Sequence, residues 1–279
     1  MGRDMSGWMN HPPRSAAKLA AIPAGQWAAL LASPPAELAP WLEAAANLGD
    51  VQAQAAYAQL LLDGRGVERN AERARALFAR AALQNDAMAM NMLGRCLEHG
   101  WGGAVDLAAA AHWFHAAAQA GLDWGMYNYA NLVARGHGLL PGPAAAQAID
   151  SSAEQADLPV AHCRAQAEAL AWYRRAAELG HAKSLNMVGR YTEEGIGVEA
   201  NRNAAFALYR ASAEAGDFRG QFSYACMLAE RGRIDQAAAW LARIPASATP
   251  AFLDKIAQEL QLSAHPQFRQ FAMRLLTGA

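Results

Sequence analysis

A pattern of 36 residues recurs along this chain, and it constrains the fold more than any other feature, because so short a unit can bury its apolar side only against its neighbours. The unit at 181–216 reads Leu185, Val188-Gly189 and Tyr191, then Glu194-Gly195-Ile196-Gly197-Val198. Ala204, Ala205, Leu208-Tyr209, Ser212-Ala213 and Gly216 follow. At 86–121 the same offsets hold Leu93-Gly94, Gly100-Trp101-Gly102-Gly103, Trp113-Phe114, Ala117-Ala118 and Gly121. At 50–85 they hold Tyr57-Ala58, Gly64-Arg65-Gly66-Val67, Leu77-Phe78 and Ala81-Ala82, with Asn85 replacing the final glycine. The unit at 122–180 keeps Tyr129-Ala130, Gly136-His137-Gly138 and Trp172-Tyr173 but is 59 residues long, an insertion of 23. A shorter unit, 217–248, has Glu230-Arg231-Gly232-Arg233 for its loop and Trp240-Leu241 in its second helix.

Each unit reads as helix, glycine turn, helix and glycine stop. Paired loop glycines such as Gly64 and Gly66 permit the positive φ that reverses the chain. Asn70, Asp106 and Asn201 then fall where a side chain can accept from the free amides of the second helix. Small residues recur at one place in the first helix, Ala58, Gly94, Ala130, Gly189 and Ala225, and would let the partner helix approach closely.

These residues resemble the Sel1-like repeat family, whose units pair a Leu-Gly-x-x-Tyr helix with a Gly-x-Gly-Val loop and a Trp-Tyr-x-x-Ala-Ala helix ending in Gly. The resemblance runs from about Trp41 to about Ala248. It implies an all-α, right-handed α-solenoid of antiparallel helix pairs, a TPR-like superhelix, whose use is to hold other proteins together. The expected organisation is a loosely ordered lead-in at 1–25, a capping half-repeat at 26–49, repeats over 50–248 and capping helices at 249–279. Ser33 is expected to cap the helix that starts at Pro34-Pro35. The insertion, about 141–165, is alanine-rich and is expected to form a helix between Ala144 and Ala156, with Pro159 restarting the chain into the helix of Trp172.

Composition narrows the function classes. A net charge of −1 and a pI near 6.7 give no general attraction to nucleic acid or an anionic membrane. Cys96, Cys163 and Cys226 lack the spacing of a disulfide framework or a zinc site, which suits a reducing compartment. No apolar run followed by a cleavage site opens the chain and no stretch is long enough to span a bilayer, so a cytoplasmic protein is expected.

No nucleophile–base pair, phosphate-binding glycine loop or metal motif is present: Gly136-x-Gly138 lacks a third glycine, and no Gly-Lys-Ser/Thr follows any loop. Neither catalysis nor a cofactor is expected. The weak metal candidate is His112 and His115, three apart on a helix, with His99 in the preceding turn. Alignment with tetratricopeptide helices, which are similar in architecture, would put several first-helix positions on a concave wall. They are Asn91, Arg95 and Glu98, beside Met88; Trp124, Tyr127 and Asn131; Lys183, Asn186, Arg190 and Glu193; then Arg219 and Phe222. Asn, Arg four residues on and Glu three further recur in two units, on one helical face. They can be exposed intrahelical ion pairs, or amides and cations that clamp a peptide with Trp124 and Tyr127 as an apolar platform. The expected function is a non-catalytic protein- or peptide-binding scaffold. The alternatives are a small-ligand or metal-binding accessory protein, or a regulatory homo-oligomer.

Overall fold

A computed structural model of the chain describes residues 11–137 and 158–277. Most of the insertion, including the helix expected at Ala144–Ala156, lies outside the described residues. All regular structure among the described residues is helical. Two compact units divide at Leu132–Val133.

In the first unit, α1 (Ala16–Ala20) and α2 (Ala24–Leu31) precede α3 (Pro35–Asn47), α4 (Val51–Asp63), α5 (Ala71–Ala82), α6 (Ala87–His99), α7 (Leu107–Gln119) and most of α8 (Asp123–Ala134). The second unit contains α9 (Leu158–Glu178), α10 (Ala182–Glu194), α11 (Arg202–Glu214), α12 (Phe218–Glu230), α13 (Ile234–Leu241), α14 (Pro250–Gln261) and α15 (Pro266–Thr277). Residues 158–165, which the sequence suggests as the end of the insertion, are the first turns of α9.

Helix starts follow the expected chemistry. Asn70, Asp106 and Asn201 accept from Arg73, Ala109 and Ala204 amides at 2.9 Å, capping α5, α7 and α11. Asp50, Asp86 and Asp217 cap α4, α6 and α12 likewise. Ser33 is the exception: Pro34 occupies the cap position of α3, and the Ser33 hydroxyl donates to the Leu30 carbonyl at 2.7 Å. It therefore closes the end of α2 instead of opening α3.

Turns end the first helices in the left-handed region, at Gly64, Gly100 and Gly195 with φ near +70°. The second loop glycine has a different task. A Cβ at Gly102 would run into the backbone of Ala71 and Glu72 at the start of α5, so that glycine lets one repeat seat against the preceding one.

The hairpins close on small-to-large contacts. A Cβ on Gly94 would lie 2.6 Å from a Phe114 ring carbon, and one on Gly189 would lie 2.8 Å from Tyr209. Phe114 and Tyr209 are buried, as are Tyr129, Tyr173 and Tyr191. In the second unit Ile256, Leu260 and Phe268 join the buried cluster of α11–α13, with Phe252, Phe271 and Leu275 packed on it. Thus α14 and α15 cover the apolar end of α12 and α13.

Candidate binding face on the first helices

The first helices α4, α6, α8, α10 and α12 carry the positions that vary from repeat to repeat. Buried slots on these helices recur; the exposed ones do not. At the second residue of the helix stand Gln52, Met88, Trp124, Lys183 and Arg219. Near its last turn stand Gln59, Arg95, Asn131, Arg190 and Cys226.

In the first unit Met88 is 49% exposed and Trp124 40% exposed. Trp124 and Tyr127 meet edge to face at 6.3 Å, one turn apart on α8. Asn131 is half-buried, farther along α8. Arg95 lies over the Trp101 ring at 5.0 Å, and Glu98 approaches His99 at 3.8 Å. Arg95 is therefore drawn to the glycine turn by an aromatic ring that the other repeats replace with Arg65, His137 or Ile196.

Asn91 is 4% exposed, and its Oδ1 accepts from the Asn128 amide at 2.8 Å. Asn186, 8% exposed, accepts from the Ser223 hydroxyl at 3.3 Å. Both bonds join residues 37 apart, one more than the repeat length, and both link a first helix to the next first helix. The recurring asparagines are rungs of the stack, and their carbonyl oxygens are engaged inside the protein instead of facing a ligand.

Glu193 is also engaged internally. It accepts from the Tyr209 hydroxyl at 2.9 Å and lies 3.6 Å from Arg202, which also pairs with Glu230. On α10 and α12 themselves, Arg190 and Arg219 are exposed cations, with Lys183 on the same face of α10. Arg219 stacks over Phe218 at 4.5 Å and reaches Phe252 at 5.7 Å, while Phe222 contacts Phe252 at 6.0 Å. Sequence reading missed Phe218 and Phe252 as holders of Arg219. The signal was present at position 218, where other repeats have Val51, Ala87, Asp123 and Ala182.

Burial governs the titratable groups near this face. The Cys96 thiol is pushed up to about 11, mainly by burial and against the opposing pull of Arg75 and Arg95. The Cys226 thiol is pushed up to about 12, again mainly by burial, with Glu259, Glu230 and Glu193 adding to it. Tyr209 is held protonated by burial and then by its bond to Glu193. All three stay neutral near pH 7, which is the opposite of an activated nucleophile.

The three histidines are not brought to one point. His99 packs on Trp101, His112 on Trp113 and His115 on Tyr129. Among the described residues no group of three His, Cys, Asp or Glu side chains is arranged to hold a metal, so this trio does not supply a site there. No helix among the described residues is long and apolar enough to cross a membrane.

The comparisons with known proteins agree with this construction. A family model described as the Sel1 repeat matches residues 51–86, 87–122, 164–181 and 182–217. An uncharacterized protein of Neisseria meningitidis serogroup B is 30% identical over 200 residues, which cover 67% of this chain. This chain spans only 42% of that protein's length. A crystal structure of a Sel1 repeat protein from Oxalobacter formigenes is 26% identical, with a TM-score of 0.59 over 85% of this chain and 89% of that one. An immunity protein from Pseudomonas aeruginosa is similar in fold alone, at 13% identity and a TM-score of 0.50 over 82% of this chain and 80% of that one. With four matched repeats, capped and turned as those residues require, the chain is a Sel1-like repeat protein with an all-α solenoid fold.

Proposed function

We propose that the protein is a non-catalytic scaffold that binds segments of other proteins on the exposed faces of its first helices, α6 and α8 in one unit and, as a separate face, α10 and α12 in the other. The observation that carries this reading is the division of labour within each repeat. Second-helix residues such as Phe114 and Tyr209 are buried by packing that recurs, whereas the exposed first-helix positions change chemically from one repeat to the next. Aromatic and Arg side chains, enriched where interfaces hold their energy, occupy several of those changing positions.

The side chains themselves support a binding role over a catalytic one. Cys96 and Cys226 are held as neutral thiols, and the three cysteines are free, which suits the reducing cytoplasm we assign to the protein. The test is affinity capture from the native cell with quantitative mass spectrometry. Wild type is compared with a variant carrying Trp124→Ala, Arg190→Gln and Arg219→Gln. Loss of at least one specific partner is expected, with the melting temperature kept because all three side chains are exposed. Unaltered capture would move the site off the first helices.

A further inference from the structure

We infer that the α10–α12 face receives an acidic segment of the partner, two of whose carboxylates are held by Arg190 and Arg219 while an apolar side chain rests against Phe222. This deepens the scaffold reading, rests on it, and names its partner by chemistry.

The starting point is the state of the two guanidinium groups. Both residues are exposed. Among the described residues neither has a carboxylate at ion-pair distance, whereas Arg73, Arg202 and Arg210 each do. Glu193, three residues after Arg190, is occupied by Tyr209 and Arg202. Glu194 is exposed one turn beyond Arg190 and forms no ion pair among the described residues.

Arg219 is also preorganised. Phe218 and Phe252 stand 4.8 Å apart, and the guanidinium lies over both. Stacking fixes the plane of the cation and leaves its N–H edge for a carboxylate, which a guanidinium can bind through two parallel bonds. Arg190 sits beside the Tyr191 ring at 5.7 Å. A held cation loses less conformational freedom on binding than a free one.

Spacing follows from the rung between the helices. Ser223 bonds Asn186, so these two residues share a level. Arg219 lies four residues before Ser223 and Arg190 four after Asn186, which separates the two cations by about 12 Å along the helix axes at roughly 1.5 Å per residue. With the two axes about 8–10 Å apart as well, the full separation is roughly 15 Å, which an extended chain covers in about four to five residues. Phe222, half-buried and next to Ser223, lies between them. Charge agrees: Arg and Lys outnumber Asp and Glu among the described residues of the second unit, although the whole chain carries −1.

The experiment is selection of a random displayed-peptide library on the full chain, followed by titration of synthetic copies of the selected peptides. The expected peptides have two acidic residues about four to five apart, bracketing an apolar one. Their binding should weaken about tenfold with either Arg219→Gln or Arg190→Gln, less with Arg219→Lys, and should fall as salt rises. Arg219→Lys retains the charge, so it keeps the test readable should the glutamine variant lose helical content. Acidic peptides indifferent to every one of these substitutions overturn the inference. So do neutral or basic peptides lost instead with Trp124→Ala, an outcome that leaves the scaffold reading standing. Selection of nucleic acid over peptide in a parallel oligonucleotide screen, or of no peptide at all, removes both.

Discussion

The repeats at 86–121 and 181–216 share a plan and differ in what they leave for other molecules. Each sets a glycine against a ring, Gly94 on Phe114 and Gly189 on Tyr209, and each uses a buried asparagine as a rung to the next first helix. The difference is one hydroxyl and one loop residue. Tyr209 draws Glu193 inward through its hydroxyl, which Phe114 cannot do for Glu98. Trp101 collects Arg95, where the matching Ile196 has no aromatic face to offer Arg190. Two small changes in packing residues thus alter which charges remain available, with the backbone plan kept.

The largest test attacks what the two repeats share. Gly94→Val and Gly189→Val should each destabilise the protein by about 1–3 kcal/mol, because the added atoms meet a ring that is already buried. Urea denaturation measures this, and pairing Gly94→Val with Phe114→Leu should restore part of the loss. Wild-type stability in both single variants would mean that the glycines are not close-packing positions.

A smaller effect should separate the two repeats. Tyr209→Phe removes a partly buried bond to Glu193 and should cost about 1 kcal/mol. The change also releases Glu193 beside Arg190, so binding of acidic segments should weaken with it. Removing the hydroxyl without loss of stability would show that Arg202 alone holds Glu193.

The smallest effect concerns the thiols. At pH 8 a thiol reagent should label exposed Cys163 quickly, half-buried Cys226 more slowly, and buried Cys96 only as the chain unfolds. Because the folded values of about 11 and about 12 lie above the ordinary 9.0, folding favours the protonated forms. The linked stability is fully present below pH 9 and is lost as pH rises through the folded values. Flat stability from pH 9 to 11 in alkaline unfolding curves, after Cys96→Ala and Cys226→Ala are subtracted, would contradict this.

Much of the fold was legible because its signals are local. Glycine at Gly64, Gly100 and Gly195 marks the left-handed end of a helix, and Asn70, Asp106 and Asn201 mark the next helix start, each within a few residues of what it controls. Ser33 shows the limit even there, since its hydroxyl had two helices within reach and closed the earlier one. The candidate binding face was less legible. Asn91 and Asn186 look like presented amides when read along one helix, and their partners are 37 residues away.

The sequence by itself determined the repeat length, the helix-turn-helix order and the caps, because dihedral preferences and unpaired amides act on neighbours along the chain. Tertiary structure decided which polar groups the stack consumes and which it leaves outside. Asn186 and Glu193 were taken by Ser223, Tyr209 and Arg202, while Arg219 was lifted onto Phe218 and Phe252. Hydrogen bonding and cation–ring attraction depend on distance in space, and only the stacking of one repeat on another sets that distance.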